Sequence, residues 1–171
     1  NCGARIRYAS FLYLSKDYSG ALNEIGQLNK TCDPNSATLL RVTAYSLYET
    51  KDSVKSLSAI RHLFEKLTED KLIGQDYEYC GKIYILNGMD SLGVDMLRKA
   101  YLMDQSRCDL LSDIWKSYDK LKKYAEAAKV MKEKIDNCKG ITVTDYFNLG
   151  RSLFFSTDYV SADSAFGKVN E

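Results

Sequence analysis

Apolar residues along this chain recur at every third or fourth position, in stretches of about 13 residues that alternate with short polar turns. This spacing gathers the apolar side chains on one face of an α-helix, which turns once in about 3.6 residues. Ser, Asp and Gly in the turns favour helix ends, and Gly88 is expected to adopt the positive φ of such an end. The pattern therefore predicts pairs of amphipathic helices. The turns inside these pairs fall at residues 15–17, 50–52, 87–88, 122–123 and 156–158.

The helix pairs repeat with a period of about 34 residues, which is typical of helical-repeat proteins. A lone helical hairpin cannot bury its apolar face, whereas stacked hairpins can. Small residues recur where paired helices must approach closely, as at Ala9, Ala21, Gly150 and Ala162. The repeats span residues 2–35, 37–73, 74–107, 108–141 and 143–171.

Four segments carry a motif by which the chain resembles the tetratricopeptide repeat (TPR) family. The resemblance implies an all-α fold, namely a right-handed α-solenoid of about five antiparallel helix-turn-helix repeats that forms a single domain over residues 1–171. An unrelated helical bundle is the alternative. Trp115 departs from the family pattern, which prefers Gly or Ala at this place. The motif segments are Tyr146-Phe147-Asn148-Leu149-Gly150, Gly81-Lys82-Ile83-Tyr84, Asp17-Tyr18-Ser19-Gly20-Ala21 and Asp158-Tyr159-Val160-Ser161-Ala162.

Charge and composition exclude several classes of function. The 24 Lys and Arg residues nearly balance the 23 Asp and Glu residues, so the basic surplus of a nucleic-acid-binding protein is missing. With a single His and no C-x-x-C pair, we expect neither a metal site nor a cofactor. No apolar run reaches the roughly 18 residues that direct membrane insertion requires. His62 precedes Glu65 by one helical turn, a common surface pair, so no catalytic residue is assigned and no enzyme is expected.

The five cysteines show a regular spacing. Cys2 and Cys32 are separated by 30 residues, as are Cys108 and Cys138. Within a repeat, both pairs fall at the start of the first helix and just past the end of the second, which lie side by side in an antiparallel hairpin. The spacing predicts two disulfides, each stabilising the fold by roughly 3–4 kcal/mol in the chain-entropy model. Coincidental spacing of reduced cysteines is the alternative. Cys80 is expected to be a buried, inert thiol outside these pairs.

The resemblance to the TPR family also implies a binding surface. Members of the family commonly hold an extended peptide or a partner helix on the concave face, which their first helices line. Aromatic residues there are expected to anchor a partner, and cations recurring about once per repeat are expected to meet its acidic groups. Packing of the aromatic residues between helices and solvation of the cations are the alternatives. The predicted peptide-binding residues are Tyr13, Arg41, Tyr45, Tyr48, Lys82, Lys116, Phe147, Arg151 and Phe154.

These features predict a non-catalytic protein-protein interaction scaffold that binds a peptide or protein segment. The alternatives are a structural assembly module, which packs on other domains or self-associates through the ends of the solenoid, and an accessory or sensor segment of a larger protein. The chain opens Asn1-Cys2-Gly3 without Met, and we expect it to be a piece of a longer protein. The cysteine pairs favour an extracytoplasmic location, periplasmic or secreted, and a cytoplasmic one is the alternative.

Overall fold

The computed structural model describes residues 1–28 and 32–169. Within these residues the chain forms ten α-helices and one short 3-10 turn, Glu69–Lys71, and contains no β-strand. Residues 29–31 of the first predicted repeat and 170–171 of the last lie outside the described residues. The helices are α1 Cys2–Leu14, α2 Tyr18–Leu28, α3 Ala37–Glu49, α4 Ser53–Lys66, α5 Gly74–Leu86, α6 Asp90–Met103, α7 Cys108–Lys120, α8 Tyr124–Asn137, α9 Val143–Phe155 and α10 Tyr159–Gly167.

The predicted all-α helical-repeat fold is confirmed. The helices form two compact units, Asn1–Met89 and Asp90–Glu171, which we call unit 1 and unit 2. In unit 1, α1 packs on α2, α2 on α3, and α3 on α4. In unit 2, α7 packs on α8, α8 on α9, and α9 on α10. The prediction of a single domain over the whole chain stays a prediction.

The turn inside each hairpin uses one residue in the left-handed region. Gly88 adopts a φ of 77°, which confirms the expectation for that glycine. At the equivalent place in the other hairpins, a residue with a β-carbon takes this conformation, which costs energy for any residue but glycine. Asp52 and Asp158 follow two of these turns, and each accepts a hydrogen bond from the backbone N–H of the third residue of the helix that follows, α4 or α10. The four non-glycine residues are Lys16, Lys51, Lys122 and Thr157.

Small residues lie where the hairpin helices come closest. Ala9 of α1 and Ala21 of α2 are fully buried in a cluster that also holds Leu39 of α3. In α9, a β-carbon on Gly150 would lie 2.6 Å from the ring of Phe166. Glycine at this position therefore lets the first helix of the last hairpin receive an aromatic ring of the second.

Both predicted disulfides are present. The Cα atoms lie 5.8 Å apart in the Cys2–Cys32 pair and 6.1 Å apart in Cys108–Cys138, within the usual range for a disulfide. Each bond joins the first residue of a first helix to the segment that follows the second helix of the same hairpin, one in unit 1 and one in unit 2. Cys80 is buried in α5 and takes part in neither bond.

Candidate functional site

The first helices of unit 1, α1, α3 and α5, contact one another in that order. We call the layer that they form the first-helix face of unit 1. Tyr79 of α5 lies at its centre, and its ring contacts aromatic rings of the neighbouring helix α3. The predicted site residues that the structure brings to this layer are Tyr13, Arg41, Tyr45, Tyr48 and Lys82.

A chain of hydrogen bonds joins the three helices of this layer. Gln75 Nε2 lies 3.4 Å from the Tyr13 hydroxyl, which in turn lies 2.9 Å from the Tyr79 hydroxyl. Tyr79 donates to Glu49 Oε1 at 2.8 Å. Because Tyr79 gives its proton to the carboxylate, Tyr13 donates to Tyr79 and accepts from Gln75. All hydrogen bonds in this series therefore donate in the same direction, from Gln75 towards the negative carboxylate of Glu49.

Tyr45 and Arg41 of α3 lie deeper than the sequence suggested. Tyr45 is 2% exposed, and its ring stacks on Tyr79 with the ring centres 4.0 Å apart. Its hydroxyl donates to the buried carboxylate of Asp76, which also receives Arg41 Nη2 at 2.8 Å and Nε at 2.9 Å. Burial is the main cause that raises the pKa of the Tyr45 phenol above its ordinary value, and Asp76 adds to it. Both side chains thus hold α3 to α5. Tyr45 also touches the chain of hydrogen bonds, because its ring stacks on Tyr79.

Tyr48 and Lys82 remain partly exposed beside Tyr13, Tyr45 and Tyr79, which we call the tyrosine cluster. The Tyr48 ring meets Tyr79 edge-on at 5.5 Å, and the Lys51 ammonium lies 4.8 Å from the centre of the Tyr48 ring. Lys82 Nζ lies 2.6 Å from Glu78 Oε1. These two side chains, with Tyr13, present an aromatic and charged edge of the layer to solvent.

In unit 2, the first helices α7 and α9 form the corresponding layer, the first-helix face of unit 2. The indole Nε1 of Trp115 donates to Ser152 Oγ at 3.0 Å. The Arg151 guanidinium lies 5.4 Å from the Trp115 ring and forms an ion pair of 2.6 Å with Asp119. Trp115 is 8% exposed, so the bulky residue that departs from the TPR pattern is accommodated by packing between the two helices.

Two phenylalanines of this face are exposed to solvent. Phe147 is 48% exposed and Phe154 is 51% exposed. With Arg151 between them, they fall at positions i, i+4 and i+7 of α9 and so share one side of that helix. Lys116 of α7 is also exposed and lies 3.2 Å from Asp113. Unit 2 therefore presents two apolar rings with a cation between them.

All four predicted cations are paired with carboxylates of the chain. Arg41 binds Asp76, Lys82 binds Glu78, Lys116 binds Asp113, and Arg151 binds Asp119. The pairs differ in strength, because the Arg41 pair closes on a buried carboxylate whereas the Lys116 pair is open to water. The first-helix faces thus carry balanced charges, and Lys116 is the cation that an acidic group would reach most easily.

Two acidic residues that organise the first helices escaped the sequence reasoning. Asp76 and Asp145 occupy the third position of α5 and α9, where each accepts the backbone N–H of the residue before its helix at 2.9 Å. Asp145 also binds Lys134 Nζ at 2.5 Å. Burial alone would raise the pKa of Asp145, but the hydrogen bonds from Lys134 and Thr142 lower it. Both residues are acids at the third position of a first helix, two repeats apart. This recurrence in the sequence could have predicted their role.

Metal and membrane features are absent from the part of the chain that the structure describes. No group of three or more His, Cys, Asp or Glu residues in 1–28 and 32–169 could hold a metal ion. No helix in these residues is both long and apolar enough to cross a bilayer.

Similarity to known proteins is seen in structure. No protein-family model and no curated protein sequence matches the chain. The C-terminal part of a TPR repeat-containing protein from Cytophaga hutchinsonii superposes with a TM-score of 0.80 at 28% identity, over 96% of this chain. This chain spans 63% of that protein's chain.

Two more distant structures show the same fold. YrrB, a TPR protein with an unusual peptide-binding site, gives a TM-score of 0.81 at 12% identity, over 99% of this chain and 84% of its own. MamA gives 0.79 at 16% identity, over 98% and 89%. The fold of this chain is therefore that of TPR proteins, a class that serves in general as scaffolds for protein-protein interaction.

Proposed function

We propose that this protein is a non-catalytic scaffold of the TPR family that binds a peptide or protein segment on its first-helix faces. The observation that carries the proposal is the pair of exposed rings, Phe147 and Phe154, with the half-buried Arg151 between them on α9. Phenylalanine and arginine are among the residues enriched at protein interfaces, and a few buried anchors carry most of the binding energy there. The ring centre of Phe147 lies 5.9 Å from that of Phe166 and the ring centre of Phe154 lies 5.3 Å from that of Tyr159, both on α10. About half of each phenylalanine still contacts water, which is unfavourable for an apolar ring.

The first-helix face of unit 1 is a second proposed binding surface. Tyr13, Tyr48 and Lys82 would contact the partner, while Tyr45 and Arg41 would hold these side chains in place from below. The hydrogen-bond chain from Gln75 to Glu49 fixes the tyrosine hydroxyls before a partner arrives, which lowers the entropy cost of binding. YrrB, which shares this fold, is a TPR protein with an unusual peptide-binding site, and this supports a peptide as the kind of partner.

Replacing both phenylalanines tests the proposal. The F147A/F154A variant should lose partners that the unchanged protein captures from extracts of the source cells, by about tenfold or more, since each anchor contributes over about 1 kcal/mol. The matched control is L92A/L102A, which removes two equally exposed apolar side chains from the second helix α6. Quantitative mass spectrometry should find partner proteins whose capture is lost with the α9 variant and kept with the α6 variant. Equal capture by both variants would contradict the proposal.

Assembly with other copies is the second candidate function, and one observation favours it. Tyr8, Phe11 and Leu14 of α1 are 52%, 61% and 75% exposed, and they share one side of that helix. If they mediate self-association, sedimentation should show a concentration-dependent oligomer that the F11S/L14S variant shifts to monomer. A monomer at all concentrations would reject self-association, and the scaffold function would be the one that remains. An accessory role in a larger protein is compatible with either surface.

We also propose that the protein works outside the cytoplasm, in a periplasm or secreted. The Cys2–Cys32 and Cys108–Cys138 bonds persist most readily in an oxidising compartment. Fractionation of the source cells with an antibody against the chain tests this. Detection only in the cytosolic fraction, with all thiols reduced, would reject it.

A further inference from the structure

A groove of about 660 Å³ runs along unit 2 between its second helices, α8 and α10, with α9 as its floor. Tyr146, Leu149 and Leu153 of α9 line the floor, and all three are half-buried. Each residue advances about 100° around a helix, so Leu149 lies nearly opposite Phe147 and Phe154, and Tyr146 and Leu153 lie roughly a quarter to a third of a turn away from them. The groove is therefore a different surface from the first-helix face.

Short side chains on both walls leave this apolar floor uncovered. Ala125 and Ala128 line the wall that α8 provides, and Ser161, Ser164 and Ala165 line the wall that α10 provides. Larger residues at these places would reach across the groove and fill it. Along α8, the lining residues run from 125 to 136, a length of about 17 Å or three helical turns.

We propose that this groove docks an amphipathic helix of a partner protein that carries acidic residues beside its apolar stripe. The groove is built from helices, whose backbone groups already bond one another, so its walls offer no N–H or C=O row to an extended peptide. An extended segment would bury unsatisfied backbone groups there, whereas a helix satisfies its own. The apolar floor matches the apolar stripe of such a helix.

The charges at the rim select an acidic partner. Lys129 and Lys132 of α8 are exposed and line the groove, and neither has an ion-pair partner among residues 1–28 and 32–169. Lys168 stands on the opposite wall. Of the two acids in the lining, Asp158 is occupied in capping α10, where it accepts from the Ser161 N–H at 3.1 Å. With three lysines against Asp136 and Asp158, the lining keeps a net positive charge over its apolar floor, which glutamates that flank a leucine stripe can meet.

Unit 1 has a groove whose lining comes from α3, α4 and Pro34, so it matches only the sides of the unit 2 groove that α9 and α10 provide. It measures about 780 Å³, and Leu40 and Ser58 correspond there to Tyr146 and Ser164 in repeat register. Lys55 in its lining forms an ion pair of 2.9 Å with Asp52. Arg61, His62 and Glu65 also line this groove, so it carries charges of both signs and has one helix wall where the unit 2 groove has two. The unit 1 groove provides an internal control.

Binding of synthetic peptides tests the proposal. The probe is a fluorescent helical peptide with leucines at i, i+3, i+4 and i+7 and glutamates elsewhere, and its match carries lysines in place of the glutamates. Fluorescence anisotropy should show that the glutamate peptide binds and the lysine peptide does not. The K129E/K132E variant should weaken binding about tenfold or more, and S164W should abolish it by filling the groove.

Two control variants keep the result specific. K66E/K139E changes the net charge equally at exposed lysines outside the groove, and S58W fills the groove of unit 1. Both should bind the glutamate peptide as the unchanged protein does, and so should F147A/F154A, which separates this surface from the proposed first-helix face. No binding of the glutamate peptide, or binding that S164W leaves intact, would overturn the proposal. Self-association that S164W abolishes would also overturn it, since a second copy would then be the occupant.

Discussion

At the scale of single residues, ionisable side chains join neighbouring helices. Asp76 receives Arg41 and Tyr45 in unit 1, and Asp145 receives Lys134 in unit 2. Each carboxylate is buried and also accepts a backbone N–H, so nearly all its hydrogen-bonding capacity is used within the chain. Removing one partner of such a group leaves the other buried without compensation, which costs more than an exposed ion pair is worth.

The D145N substitution should destabilise unit 2 in a pH-dependent way. Because the folded protein holds the pKa of Asp145 below its unfolded value, the carboxylate stabilises the fold above about pH 4 and loses this effect as pH falls through the folded-state pKa. In urea titrations at pH 7, we expect D145N to lower the free energy of unfolding by roughly 2 kcal/mol. At pH 2 to 3 the difference should shrink. D113N, at an exposed pair, is the control and should change little; an equal loss for D145N at both pH values would refute this account.

The tyrosine cluster should resist ionisation. Burial is the main cause that raises the pKa of Tyr45 and Tyr79 above about 10, so these phenols stabilise the fold below that pH and cease to do so as pH rises through their folded-state pKa. Absorbance at the phenolate band should therefore show fewer than 13 tyrosines ionising before the helix signal is lost. Reversible ionisation of every tyrosine in the folded protein would disagree with the structure.

At the scale of elements, the left-handed residue in each hairpin turn sets where a first helix ends. We expect K122G to raise the free energy of unfolding by about 1 kcal/mol, because glycine adopts a φ of 58° without the cost that a β-carbon brings. G88A should lower it by a similar amount, since Gly88 already has a φ of 77°. Thermal unfolding followed by circular dichroism measures both. Two changes of the same sign would show that the turn conformation does not govern stability.

The helices were predictable to a large extent because each repeat has the same pattern of apolar and polar residues. Helix spacing, the turn at Gly88 and the equal separation of the two cysteine pairs are local or periodic signals, and the structure agrees with them. The depth of Tyr45 was not predictable, since a binding face and a packed face of α3 have the same helical period. Ion pairs such as Arg41 with Asp76 join residues a full repeat apart, and their formation depends on side-chain packing that periodicity does not describe.

At the scale of the whole molecule, each unit carries its own disulfide. Cys2–Cys32 closes the first hairpin of unit 1, and Cys108–Cys138 closes the first hairpin of unit 2. Each bond limits the freedom of the unfolded chain over 30 residues, so both contribute by the same mechanism. The molecule thus combines helical repeats, whose contacts are local, with covalent links inside single hairpins.

Removing either disulfide should therefore lower stability by roughly 3–4 kcal/mol. We expect C2S/C32S and C108S/C138S to show similar losses in urea titrations, and the two losses to add. Mass spectrometry after alkylation of the denatured protein should find one reactive thiol without reductant, that of Cys80, and five with it. Five reactive thiols in protein made under oxidising conditions would contradict both bonds.

The central claim is that the first-helix faces bind a protein segment, and site-specific photocrosslinking tests it most directly. A photoreactive phenylalanine analogue is placed at residue 154 on the first helix α9 or, as a control, at residue 102 on the second helix α6, where Leu102 is 61% exposed. After irradiation in the source cells, we expect position 154 to form a covalent adduct with a defined protein segment and position 102 to form none with it. Adducts with the same segment at both positions, or none at 154, would contradict the account.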